Sequence, residues 1–416
     1  MADSWHEYVK DSRTVCKYGT KCYQKNPDHH EKFKHPPVLK KKQYNRNTQR
    51  YHPYNKNITN TRDKSPTTTC EINDQVTPVQ SGLSKTNVEI VKNKNDFIVS
   101  FELPKELKFY DKDTDKSILK ELFLVEMPDD FFKFYEFVSN IGKSIEGLLA
   151  GVNLELIGPY DLLLGKLPIL EDKELYLVHW RFFYDPPEFQ AVLKKKKSEY
   201  HIGYYRDTPE QKTAFLGSND CAKGYHITLL SDNIFGAVYL YLQNEKKNSP
   251  FTAIPCQKLM DKIKIFAEEN SISLAEFSMQ KRISQVVTKT FHGAGIVVPY
   301  NKQTQVGYRR LVETDAKLKN IFTNLEKAKS KEEKDKYFSD LQVVVTNASI
   351  ALDECDFGTG LELAIAFFCS GLKELQAMTL NNFSAAYNVL SRKAFAQIAE
   401  AHLKYRRKGP NMSLIS

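Results

Sequence analysis

The chain has 416 residues and a formal net charge of +9, room for one or two packed units and a separate appendage. With 41% hydrophobic and 27% charged residues and no apolar run of spanning length, a helical membrane protein is excluded. The opening Met1-Ala2-Asp3-Ser4-Trp5-His6-Glu7 has neither a basic nor an apolar leader region, so an intracellular protein is expected. Seven scattered cysteines suit a reducing compartment better than a disulfide framework.

Cys16, Cys22, His29 and His35 come first, two thiolates and two imidazoles within twenty residues. A segment so short has no core of its own, and tetrahedral Zn²⁺ with two sulfur and two nitrogen ligands supplies one. His30 is an alternative to His29. The wide Cys spacing and short central loop depart from fingers whose helix enters the DNA major groove. From Pro36 to Thr69 there are eight Lys or Arg against one acid, Asp63, among Asn, Thr and Tyr. So few aliphatic residues cannot offset the entropy of ordering, and a basic flexible linker is expected over 38–94.

Aromatic and aliphatic runs begin near Asn95. Asp129-Asp130-Phe131 to Val138 puts acids before apolar residues at helical spacing and predicts an amphipathic helix. Val152–Ile157, Leu175–Tyr184 and Tyr200–Arg206 are rich in aromatic and β-branched residues and predict strands. Lys194–Lys197 between two of them predicts a solvated hairpin tip. Phe291-His292-Gly293-Ala294-Gly295 predicts a turn, since no phosphate-loop context follows. Beyond it the chain predicts helices: Ser330-Lys331-Glu332-Glu333 as a capping box opening a helix towards Asp353, and Asn381 or Asn382 capping another towards Tyr405. The fold class is α+β: a zinc finger at 14–37, the linker at 38–94, a body with an antiparallel-type sheet plus helices at 95–285, and a mainly helical part at 286–416. Asp353, Glu354 and Asp356 form an acidic knot between two helical patterns. Asp356 suits an N-cap, whereas Glu354 opposes a helix macrodipole unless an arginine pairs with it, and Arg309 is the candidate. No Ser-His-Asp arrangement and no second metal cluster is visible, and His179 and His292 are expected to be structural.

The string from Cys16-Lys17-Tyr18-Gly19-Thr20-Lys21-Cys22-Tyr23 through Asn26-Pro27-Asp28-His29 to His35-Pro36 closely resembles the poly(ADP-ribose)-binding zinc finger, PBZ. The resemblance implies Cys16, Cys22, His29 and His35 as zinc ligands, Tyr18 and Tyr23 against adenine, and Lys21 and Lys25 facing pyrophosphate. Gln24 stands where the family usually has arginine and lacks a bidentate phosphate contact.

Gly158-Pro159-Tyr160-Asp161, His179 to Phe189, Val287 to Gly295, Val306-Gly307-Tyr308-Arg309 and Asp353-Glu354-Cys355-Asp356-Phe357-Gly358 together resemble the histone PARylation factor family. That family comprises accessory proteins that redirect poly(ADP-ribose) polymerases towards serine; the finger makes this chain look like an insect-type member. The resemblance implies Glu354 as a catalytic carboxylate lent to the polymerase's active site, with Asp353, Tyr308 and Arg309 contacting that partner. NAD⁺ is then used by the partner and not bound by this chain alone. Histones and poly(ADP-ribose) are expected partners, nucleic-acid contact is weak or indirect, the chain is a monomer, and its place is the nucleus at damaged chromosomes. The competing expectations are a non-catalytic poly(ADP-ribose)-reading scaffold and a nucleic-acid-binding zinc-finger protein whose phosphate contacts give steep salt dependence.

Overall fold

The computed structural model describes residues 11–16, 27–35, 101, 103–142, 144–212 and 214–415. The chain divides into two compact units, Met1–Val88 and Glu89–Ser416. The linker expected over 38–94, and Asn95, lie outside the described residues.

In the first unit, β1 (Thr14–Val15) runs parallel to β2 (Phe33–Lys34), which follows directly on α1 (Pro27–Lys32). The amide of buried Cys16 donates to Lys34 O at 3.0 Å. Elements of two and six residues are far below the ~12–15 residues at which an isolated helix becomes even marginal. Their order must come from something other than propensity.

The second unit opens with α2 (Ile118–Phe123), α3 (Asp129–Ile141) and α4 (Ile145–Ala150). The helix expected from Asp129 forms: acids occupy its first turn, and Phe131, Phe134, Phe137 and Val138 are buried along one stripe. β3 (Leu154–Leu156) and α5 (Tyr160–Leu163) follow. Then come β4 (Phe189–Lys195), β5 (Tyr200–Tyr205), β6 (Phe215–Asp220) and β7 (Thr228–Ser231). The five strands form one sheet in sequence order, every neighbouring pair antiparallel.

Three expectations are corrected here. Leu175–Tyr184 is not a strand: Lys173–Val178 is a 3-10 helix, and Trp180 follows in the left-handed region at φ 55°. Its aromatic content serves core packing, since Tyr176 is buried with its hydroxyl donating to Pro168 O at 2.8 Å. The Lys194–Lys197 run is only partly a hairpin tip. Lys194 is buried in β4, 5.0 Å from the Trp180 ring, and donates to Pro410 O at 2.9 Å; the turn itself begins at Lys196. Asn381 and Asn382 cap nothing, because they lie inside a helix (below).

The helical part comprises α6 (Ile234–Asn248), α7 (Ala253–Glu269), the short α8 (Met279–Ile283), α9 (Asp315–Lys327), α10 (Lys331–Asp353), α11 (Phe357–Ser370), α12 (Gln376–Val389) and α13 (Lys393–Tyr405). The Ser330 capping box is present, with Ser330 Oγ accepting from Glu333 N and the Glu333 carboxylate returning to Ser330 N. Among the described residues no helix is long and apolar enough to cross a membrane.

α11 positions everything that follows. Leu361, Ala364, Ile365 and Phe368 join the main core, which reaches from the sheet (Ile202, Leu216) to α13 (Ile398, Leu403). Leu363, Ala366 and Phe367 on the same helix join a second core with α9 and α10. A helix buried on both sides is a rigid reference, and the acidic knot sits at its N-terminus.

Candidate functional site

α10 ends at Asp353, and the chain turns back into α11 within three residues. Glu354 is the C-cap (φ −89°), Cys355 takes the left-handed conformation (φ 67°), and Asp356 precedes α11. Asp353, Glu354 and Cys355 are exposed, whereas Asp356 is buried. The side chain of Asp356 does not cap α11. It accepts instead from Gly307 N at 2.9 Å and from Arg309 Nε at 2.7 Å, so the N-cap expected of it holds by position only.

The 307–309 segment lies across the start of α11. Gly358 N donates to Gly307 O at 2.9 Å, Arg309 N donates to Thr359 Oγ1 at 3.0 Å, and Thr359 Oγ1 donates to Arg309 O at 2.6 Å. Gly307 sits at φ 118°, and a Cβ there would come within 2.1 Å of Pro299 O, so only glycine allows this approach. From this seat the Arg309 guanidinium pairs with Glu354 Oε2 through Nη2 and with Asp356 through Nε. The expected Arg309–Glu354 pair is therefore formed, across 45 positions of sequence. Hydrogen bonding to Glu354, then to Asp356, raises the Arg309 pKa against the lowering effect of desolvation.

The two acids play unlike parts. The Glu354 side chain is 60% exposed and that of Asp356 12%. An exposed ion pair is worth about 0–1 kcal/mol, so Glu354 is oriented but not trapped.

Tyr308 anchors the same segment from the other side. Its hydroxyl donates to Glu362 Oε2 at 3.1 Å, and Thr288 Oγ1 donates to Glu362 Oε1 at 2.9 Å. Burial pushes the Tyr308 phenol up to about 12. Beside Tyr308 and Arg310 runs a groove of about 830 Å³, walled also by Val286, Val298, Tyr300 and Lys302. Sequence reasoning placed Tyr308, Arg309, Asp353 and Glu354 together; the structure pairs Arg309 with Glu354, leaves Asp353 exposed beside Glu354 and turns the Tyr308 hydroxyl to Glu362. It missed Glu362, whose signal was present: the single charged residue in the apolar run Phe357–Ser370.

In the first unit, Cys16, His29 and His35 offer ligand atoms that all lie within 4.8 Å of one another. His29 Nε2 is 3.4 Å from Cys16 Sγ and 3.2 Å from His35 Nε2. Two imidazole nitrogens and a sulfur gathered this closely are three of the four donors that a tetrahedral site takes, and their chemistry fits zinc. His29, not His30, joins the cluster. Cys22, Tyr18, Lys21, Tyr23, Gln24 and Lys25 lie outside the described residues.

The expected structural histidines are buried: His179 Nε2 lies 2.8 Å from Asp161 Oδ2, and burial drives the His292 pKa down to about 3. Gly293 and Gly295 both take positive φ in the expected turn. One grouping was not expected: Asp185, His201 and Cys221 also lie within 4.8 Å. Here His201 Nε2 is 2.8 Å from Asp185 Oδ1, Nδ1 is 2.7 Å from Glu199 O, and the ring stacks on Phe182 at 3.9 Å. Burial raises the Cys221 thiol pKa, with the nearby Asp185 charge adding to it. A neutral thiol beside an already bonded pair is a packed polar contact.

Residues 114–406 match the family model described as histone PARylation factor 1, and residues 13–37 match that of the PBZ domain. The chain belongs to the histone PARylation factor 1 family. The Danio rerio relative "Histone PARylation factor 1" is 41% identical over 295 residues, covering 69% of this chain and 84% of that protein. The Mus musculus protein of the same name is 39% identical over 315 residues (73% and 90%). A Homo sapiens relative, "Putative histone PARylation factor 1-like", is 36% identical over 321 residues (73% and 91%). The family match covers the sheet, α11 and the acidic turn, and the PBZ match covers the three converging donors.

Proposed function

We propose that this chain binds a poly(ADP-ribose) polymerase activated by DNA damage and completes its active site with Glu354, directing ADP-ribose to serine on histones. The observation that carries this reading is the exposed Glu354 carboxylate, held at the apex of a turn by Arg309 while Asp356 ties that turn to the body. Membership in a family named for histone PARylation supports it. A serine hydroxyl is a poor nucleophile. In the joint site Glu354 takes its proton as the serine oxygen bonds to the ribose anomeric carbon and the bond to nicotinamide breaks, help typically worth about 10²- to 10⁴-fold. The polymerase holds NAD⁺; this chain contributes the base. Asp353, Tyr308 and Arg309 form the contact with the partner.

The finger is assigned a structural Zn²⁺ on Cys16, Cys22, His29 and His35, and binds poly(ADP-ribose) through Tyr18, Tyr23, Lys21 and Lys25. When bound, the metal supplies the cross-link that replaces an apolar core. We place the protein, as a monomer, in the nucleus at damaged chromosomes.

Reconstitution tests the assignment. The chain, a DNA-activated polymerase, NAD⁺ and a histone peptide with or without its serine should give serine-dependent transfer. Glu354→Gln should abolish that transfer while leaving pull-down of the polymerase intact. Undiminished transfer by the variant leaves only a non-catalytic scaffold.

A further inference from the structure

We propose that Glu362 is a positioning residue for the exposed turn: its buried carboxyl group seats Tyr308 and, through the step to Arg309, sets where the guanidinium that holds Glu354 lies. This rests on the reading of Glu354 given above.

Glu362 is 8% exposed in the doubly buried α11. Its two oxygens meet hydroxyls from two separate loops, Thr288 Oγ1 at 2.9 Å and Tyr308 OH at 3.1 Å. A carboxylate in the interior is costly to keep for shape alone, and here it is the tie between α11, the 288 loop and the arm that carries Arg309. Tyr308 and Arg309 are adjacent, and Arg309 is bonded again to Thr359 in α11 and to Asp356 just before it. The arm is thus pinned at both ends to one helix, with Glu362 as the buried pin.

The pin changes strength with its charge. Burial raises the Glu362 pKa to about 7, opposed by the two hydroxyl hydrogen bonds; Asp315 at the start of α9 raises it further and Arg310 lowers it. Ionised, Glu362 accepts from both hydroxyls. Protonated, it needs an acceptor for its own hydrogen, and Thr288 provides one, because the Thr288 hydroxyl has a second acceptor in Lys289 O at 3.3 Å. Tyr308 then donates to a neutral carboxyl, and a neutral hydrogen bond is roughly half as strong as a charge-assisted one. The arm is held harder above neutral pH than below it.

Glutamine reproduces the protonated state at every pH: its carbonyl accepts from Tyr308 and its amide donates to Thr288. The experiment measures full-chain affinity for the DNA-activated polymerase from pH 6 to pH 8 in wild type, Glu362→Gln and Tyr308→Phe, with Glu354→Gln alongside. Wild type should tighten about fivefold across this range. Glu362→Gln should match wild type at pH 6 and show no tightening, and Tyr308→Phe should also lose the pH dependence. Tightening of Glu362→Gln equal to that of wild type overturns the proposal, and so does wild-type tightening retained in Tyr308→Phe if the glutamine variant does not fold. Glu354→Gln should keep the pH dependence while losing serine transfer. Normal transfer by that variant would remove the catalytic reading and leave the affinity result for Glu362 to be read by itself.

Discussion

The finger and the acidic turn solve the same problem by opposite means. Each must hold a few side chains in a fixed arrangement at a surface. In the described part of the finger Cys16 is the one buried apolar residue, and the geometry is fixed by donors that converge on a point. The acidic turn contains no such point. Its geometry is inherited from α11, a helix buried in two cores, through Asp356, Thr359 and Glu362. A metal site is local and cheap in sequence but fails all at once; a turn hung on a core is stable but depends on residues far away in the chain.

Three measurements sharpen that contrast. Chelation should have the largest effect, because structural zinc contributes about 10–16 kcal/mol to finger peptides at neutral pH. The NMR dispersion of residues 11–16 and 27–35 should collapse together with poly(ADP-ribose) binding, while the unfolding transition of the body stays where it was; a shift of that transition would show that the body also leans on metal. Next comes the Glu362 titration. Its folded value of about 7 lies above the ordinary 4.5, so the native state binds a proton that the unfolded chain has released. Stability should therefore fall as pH rises from about 4.5 through 7 and level off above, by on the order of 3 kcal/mol. Denaturant unfolding should show this slope in wild type and its loss in Glu362→Gln. The smallest effect is Arg309→Ala: about tenfold weaker recovery of the polymerase, with body stability lowered by about 1 kcal/mol, because the pair with Glu354 is exposed and Asp356 keeps its bond to Gly307 N. Unchanged recovery would mean that Arg309 orients Glu354 without touching the partner.

The parts that were legible in the sequence are those whose partners are close in the chain or marked by odd residues. Cys16, His29 and His35 announce themselves by spacing. The acidic knot stands out because Glu354 makes poor sense at a helix C-terminus, which is why Arg309 could be sought as its partner. The sheet was readable where short β-branched runs met turns, at β3 and β5. Leu175–Tyr184 misled because aromatic residues are favoured both in strands and in any crowded core; the segment is a 3-10 helix followed by the left-handed Trp180. Asn381 and Asn382 misled because a cap-type residue says nothing about whether a helix has already begun; α12 starts at Gln376. Asp356 was placed correctly in the chain but not in space, since its bond to Gly307 spans 49 positions. Glu362 was passed over because a lone charge among apolar residues carries no period.

The left-handed backbone at Cys355 divides labour between its neighbours. With one residue of reversed handedness between them, Glu354 faces the solvent and Asp356 faces the body, so one acid is offered outward and the other bolts the mount. The turn therefore behaves like a reading frame. Inserting or deleting a single residue there would leave composition and charge almost untouched, yet hand the outward post to a side chain meant for the interior.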